Sequence, residues 1–216
     1  MAIRLLPYRQ YNESDVFNQY MLATNHAGLE DPSINGDNDA GVVVYVSLGN
    51  LNDDTIQISE TATHDPRKQH ASPIGRNGMP YVAGQVAPTA LIGDRPIGIT
   101  LNQTLKFDEN GEPLLYNPTK QAELQAVLPY QAVPVVSKGI FTLTEAAFKT
   151  TDLQVGDKLG YGFSTDKGKF TNFTGMPAFV VGNPRQDHVV GTVLGTGSRP
   201  AGDGYAGKYY MVQLDF

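Results

Sequence analysis

The sequence predicts an all-β protein, a sandwich or barrel of short antiparallel strands with an extended N-terminal arm and little helix. Three observations carry that reading. Apolar runs are short and closed by Gly, Pro, Asn or Asp, at a spacing of roughly 8 to 12 residues. The 216 residues include 23 Gly and 14 Pro, a generous supply of turn formers. Charged residues make up only 18% of the chain, below the globular share of about a quarter, which suits a surface that an assembly covers.

The elements follow in order. Residues 1–40 are polar and Asn-rich, with scattered aromatics and no sustained period, and read as an arm distinct from a β-rich domain over 41–216. Within the arm, Asn12 or Ser14 is placed to cap a short helix over 18–22. "GVVVYVSLG", 41–49, is β-branched and bounded by Gly, and is a strand; "TIQIS", 55–59, alternates and is expected to form a hairpin with it. Residues 60–80 are a long polar loop of the kind that is functional, contact-making or disordered. "FDENGEPLLYNPTKQAELQAV", 107–127, carries a turn at Asn110-Gly111 and a helical piece near 120–126. "YQAVPVVSKGIFTLTEAAF" holds two apolar runs around Lys138-Gly139. The last third repeats the style in "KLGYGFS", "PAFVVG", "HVVGTVLG" and "GKYYMVQLDF".

Composition excludes several classes. Without Cys there is no disulfide, thiolate metal site or cysteine nucleophile. A net charge of -6 argues against a general nucleic-acid footprint. The N-terminus lacks the apolar run of a signal peptide and no segment is apolar enough to span a bilayer, so a protein made in the cytoplasm and without a membrane partner is expected.

Two Gly-Asp units, "IGDRPIGIT" and "VGDKLGYGF", share an aliphatic residue before Gly-Asp, a base after it and a second aliphatic-Gly pair. Gly93 and Gly156 supply the freedom of a tight turn, and Asp94 and Asp157 bond neighbouring amides. The second Gly fits a bulge or a close strand approach. An acid-base pair requires proximity and unlike environments, whereas turn aspartates beside Arg95 and Lys158 are solvated and ionised. The turn reading is therefore preferred.

Other candidate chemistry is sparse. His64 and His70, with Asp65, lack the spacing of a zinc site, and His26 and His188 have no recognisable partner. Asp31, Asn35, Asp37 and Asp39 offer hard oxygens for calcium, but no Glu closes the loop at the twelfth position. "GTGSRPAGDG", 195–204, is neither a nucleophile elbow nor a phosphate loop and reads as a mobile tip. No metal and no cofactor is expected.

The phrases "GDRPIGIT", "AVPVVSKGIFTL" and "VGDKLGY", within 93–162, resemble those of head-decoration (cement, auxiliary capsid) proteins of tailed bacteriophages. The resemblance covers about a third of the chain, and the loop at 60–80 and the Gly-rich segment at 195–204 have no counterpart in it. It implies a small β-barrel or β-tulip on the capsid surface of the virion, a homo-oligomer bound to the major capsid protein and no catalytic residue. On the arm, Ile3, Leu5, Leu6, Tyr8, Tyr11, Phe17 and Tyr20 are then expected as anchors, because apolar residues on a polar segment need a surface beneath them, the partner's or the chain's own. The alternative function is a β-sandwich recognition module for carbohydrate at a host surface, which eleven Tyr suit and the absence of Trp weakens. A hydrolase using carboxylates or a loop metal is the third reading, with only the clusters above to support it.

Overall fold

The computed structural model describes residues 4–22, 40–48, 84–89, 94–105, 107–128, 131–150, 152–162, 166–172, 189–200 and 206–216. The strands are β1 (Leu5–Gln10), β2 (Val16–Phe17), β3 (Tyr20–Leu22), β4 (Val43–Leu48), β5 (Gly84–Pro88), β6 (Pro96–Thr100) and β7 (Gln103–Thr104). They continue with β8 (Ala126–Val127), β9 (Val135–Val136), β10 (Lys138–Thr144), β11 (Lys158–Tyr161), β12 (Phe170–Asn172), β13 (Gly191–Arg199) and β14 (Gly207–Asp215). The α-helix among the described residues, α1 (Pro118–Glu123), has Pro in its first turn, and Asn117 Oδ1 accepts from the Lys120 amide at 3.1 Å.

The first sheet runs β1-β10-β14-β13-β11-β12 and is antiparallel throughout. The second runs β2-β9-β6-β4-β5-β3, and β7 pairs β8 apart from both. Most pairings are antiparallel, as expected, and two, β3 with β5 and β7 with β8, are parallel. Both long sheets have open ends, so the sandwich replaces the barrel alternative among the described residues.

Core chemistry explains the layering. Phe141, Leu143, Tyr210, Val212 and Leu214 from the first sheet share one buried cluster with Val43, Ile99 and Val136 from the second. Phe148 meets Phe170 at 5.6 Å and Tyr210 edge-on at 5.0 Å, the offset geometries that aromatic quadrupoles prefer. On its other side the second sheet buries Val42, Val44, Val86, Val133 and Val135. Hence the unbroken run Val42-Val43-Val44: both faces of that strand are covered, as in sheets buried on both sides. Along its edges it pairs β5 through Val44–Leu48 and β6 through Val43–Tyr45; residues 55–59, expected to form a hairpin with it, lie outside the described residues.

The chain changes sheets at Ser137. Its amide donates to Asp15 O at 2.9 Å and its carbonyl accepts from the Phe216 amide at 3.1 Å, which fastens both chain ends to the corner. Close packing also fixes Gly98 within β6, the close approach expected of the second Gly in its unit. A Cβ there would strike the Val136 carbonyl. Gly98→Ala is expected to destabilise by about 1–3 kcal/mol through overpacking, measured as a shift of the denaturant midpoint.

Residues 4–22 depart from the arm reading, and 23–39 lie outside the described residues. A 3₁₀ turn at Glu13–Asp15 gives way to β2, because Val16 is already extended, so the helix expected over 18–22 is replaced by strands. β1 pairs with β10, β2 with β9 and β3 with β5, all across the expected boundary at residue 40. Leu6 and Leu22 are buried, and Leu5, Tyr11, Val16 and Tyr20 pack on the two main clusters. Moreover, β2 and β3 sit on one segment whose two halves meet opposite ends of the curled second sheet. The Val133 amide also donates to Tyr20 O at 2.8 Å. Pro7 and a register shift between Leu5 and Arg9 guard the outer edge of β1.

Candidate contact surfaces

The two Gly-Asp units do not converge: one starts β6 in the second sheet, the other β11 in the first. Gly156 has φ +94 with open space where a Cβ would sit, as a tight turn requires. Asp157 accepts from the Gln154 amide and from Asn172 Nδ2, both at 2.9 Å, and its backbone bonds β13 through Val193. Asp94 is a correction. It is 8% exposed rather than solvated. The Tyr45 phenol is pushed up by burial and, secondarily, by the Asp94 charge. Gly93 lies outside the described residues.

So do His26, His64, His70 and His188, Asp31, Asn35, Asp37 and Asp39, and Ile3. Gly195–Arg199 of the expected mobile tip are strand, paired along β14. The Tyr209 ring lies against Gly197, with the Arg199 guanidinium 5.9 Å from the ring centroid. Among the described residues no three acidic, His or Cys side chains gather as a metal site would require. No helix there is long and apolar enough to cross a membrane.

Shallow grooves lie among the described residues. One of about 220 Å³ lies between Gln10–Asn12, Asp15, Lys138–Ile140, Gln213 and Leu214. Another, about 410 Å³, is walled by Asp152, Gln154, Thr196, Ser198, Lys208 and Tyr210. Its charges neutralise each other: Lys208 Nζ holds Asp152 Oδ1 at 2.5 Å, which keeps that carboxyl below the usual range and the ammonium above its own. Tyr210 is pushed up by burial. In this second groove, then, the acid and the base are paired and the phenol is buried.

The exposed apolar residues fall elsewhere. Of the seven expected anchors, Tyr8 and Phe17 are exposed, at 70% and 40%, while Leu5, Leu6, Tyr11 and Tyr20 are packed on this chain; Tyr11 stacks 6.0 Å from Phe141. Leu194 and Met211 are exposed on neighbouring strands at the β13 bulge.

Phe107 and Tyr116, which the sequence reading passed over, are 46% and 80% exposed beside the Asn110-Gly111 turn. Their signal was there: aromatics flanking a turn that carries its own acids. Leu105, Leu114, Ala126 and Leu128 form a small satellite core beneath this tip. Asp108 Oδ1 closes the turn by accepting from the Asn110 and Glu112 amides, each at 2.8 Å. The Glu112 bond contributes most to holding its pKa below the ordinary 3.8. A depressed carboxylate stabilises the turn above the ordinary value and loses that contribution as pH falls through the lower, folded one. In acid the Asn110 and Glu112 amides should lose exchange protection, whereas in Asp108→Ala they should be unprotected at neutral pH as well.

No family model, curated protein or solved structure matches the chain.

Proposed function

We propose that this chain is a structural virion protein that binds and stabilises an assembled capsid lattice through contacts to the major capsid protein. The observation that carries the reading is the division of labour on the surface. Apolar side chains stand out from the sandwich at Tyr8, Phe17, Phe107, Tyr116, Leu194 and Met211, while Lys138 and Lys208 beside the grooves are paired with Asp215 and Asp152. Such a body works by adhesion. Preferential binding to assembled shell stabilises it by mass action, and many identical copies multiply a modest contact. The resemblance of its phrases to decoration proteins points the same way. Capsids loaded with the protein should disrupt at a higher temperature than bare ones, with saturation at a fixed number of copies. An unchanged disruption temperature at saturating protein contradicts the reading.

The polar groove at Asp152, Gln154, Thr196 and Ser198 favours one second reading, a carbohydrate subsite, since hydroxyl, amide and carboxylate groups match sugar hydroxyls. Glycan-array binding that is lost in Ser198→Ala and Gln154→Ala supports it, and an array with no signal removes it.

A further inference from the structure

At the Asn110-Gly111 turn two neighbouring residues carry a chemistry that nothing above uses. The Asn110 side chain ends in an amide carbon, and the Gly111 backbone nitrogen can close a five-membered ring on it. Glycine hinders that closure least, having no Cβ, and beyond its chain neighbours nothing lies within 4 Å of where one would sit. Both residues are exposed, so water reaches them. Yet the fold restrains both reacting groups through one residue. The Gly111 N–H donates to Asp108 O at 3.1 Å. The Asn110 side chain bonds the Asp108 carboxylate, whose Oδ1 also accepts the Asn110 and Glu112 amides at 2.8 Å. A planar, bonded peptide nitrogen is a poor nucleophile until the turn releases it.

We propose that Asn110 is a deamidation site whose rate Asp108 sets, by closing a turn that keeps the Gly111 nitrogen from the Asn110 carboxamide. When the turn opens, the Gly111 nitrogen bonds Asn110 Cγ and gives up its proton. The side-chain nitrogen leaves as ammonia, and a succinimide remains. Water then breaks one of the two imide C–N bonds. Breaking the bond at the side-chain carbonyl gives aspartate; breaking the bond at the main-chain carbonyl gives isoaspartate. Either product adds a carboxylate to the turn. Isoaspartate also inserts a methylene into the main chain between Asp108 and Glu112, which upsets the Asp108 N–H to Glu112 O bond of 2.9 Å.

The test incubates the full chain, folded and in denaturant, and digests it with trypsin. The peptide 107–120 is followed by mass spectrometry for conversion of amide to acid, with the two isomers separated by chromatography. Its other amide, Asn117, precedes Pro118, whose nitrogen carries no hydrogen and cannot close the ring. Conversion, with isoaspartate among the products, should be fast in denaturant and slow in the folded chain. In folded Asp108→Ala it should run about tenfold faster than in folded wild type, the ratio expected for a lost charge-assisted bond. Asp108→Ser restores a weaker acceptor and should fall between the two. Asn110→Gln should abolish conversion. Unchanged exchange protection of the β14 amides in the variants ties the acceleration to the turn, whereas an equal loss of protection there contradicts the assignment to Asp108. Wild type converting as fast folded as in denaturant, Asp108→Ala no faster than wild type, or conversion that persists in Asn110→Gln overturns the proposal.

Discussion

A chain lacking residues 1–22 is expected not to fold, rather than to survive as a trimmed body. Leu6 and Leu22 are each 4% exposed, and truncating one such buried Leu to Ala costs about 2–5 kcal/mol. The deletion removes both, uncovers the Leu143 edge of β10, and takes away the segment that touches both ends of the second sheet. Arg4, buried at 3%, goes as well, along with its carbonyl bond to the Thr144 amide at 2.8 Å. Against a total stability of about 5–15 kcal/mol, such a loss leaves no folded margin. The measurement is the melting transition by circular dichroism, with yield in the soluble fraction. A cooperative transition within a few degrees of the full chain would mean that residues 1–22 are an arm after all.

The second large effect is expected at the centre of the sandwich. Phe141 has no exposed surface, stacks on Tyr11 from the N-terminal segment, and lies in β10 between β1 and β14. Phe141→Ala opens a cavity bounded by both sheets and should cost about 3–5 kcal/mol in denaturant unfolding. The position also couples segments, so Tyr11→Ala combined with Phe141→Ala should cost less than the sum of the two alone. Additive losses would show that the ring contact carries no coupling.

These effects were legible in the sequence only in part. The all-β class was readable because residues 43–48, 191–199 and 207–215 carry β-rich runs bounded by turn formers. The Asn110-Gly111 turn follows from local chemistry and the structure keeps it, while the helical piece expected near 120–126 sits at Pro118–Glu123, and Ala126 already belongs to β8. What stayed hidden is long-range. β2, β3 and β9 hold two or three residues each, too few to show a period, and they exist because a distant strand lies beside them. Asp94 reads as a solvated turn acid, yet the fold leaves it only 8% exposed, and its charge reaches Tyr45, some fifty positions earlier. Apolar residues at the N-terminus correctly demanded a surface, and for Leu5, Leu6, Tyr11 and Tyr20 that surface is this chain's own. Sequence pattern alone gives no means of dividing such residues from Tyr8 and Phe17, which face outward.

Adhesion to a repeating shell is decided most directly by sedimenting purified protein with capsids that lack it. Saturable co-sedimentation with assembled shells, and its absence with unassembled capsid subunits at the same concentration, is the predicted result. Protein that stays in the supernatant whatever the capsid concentration contradicts it.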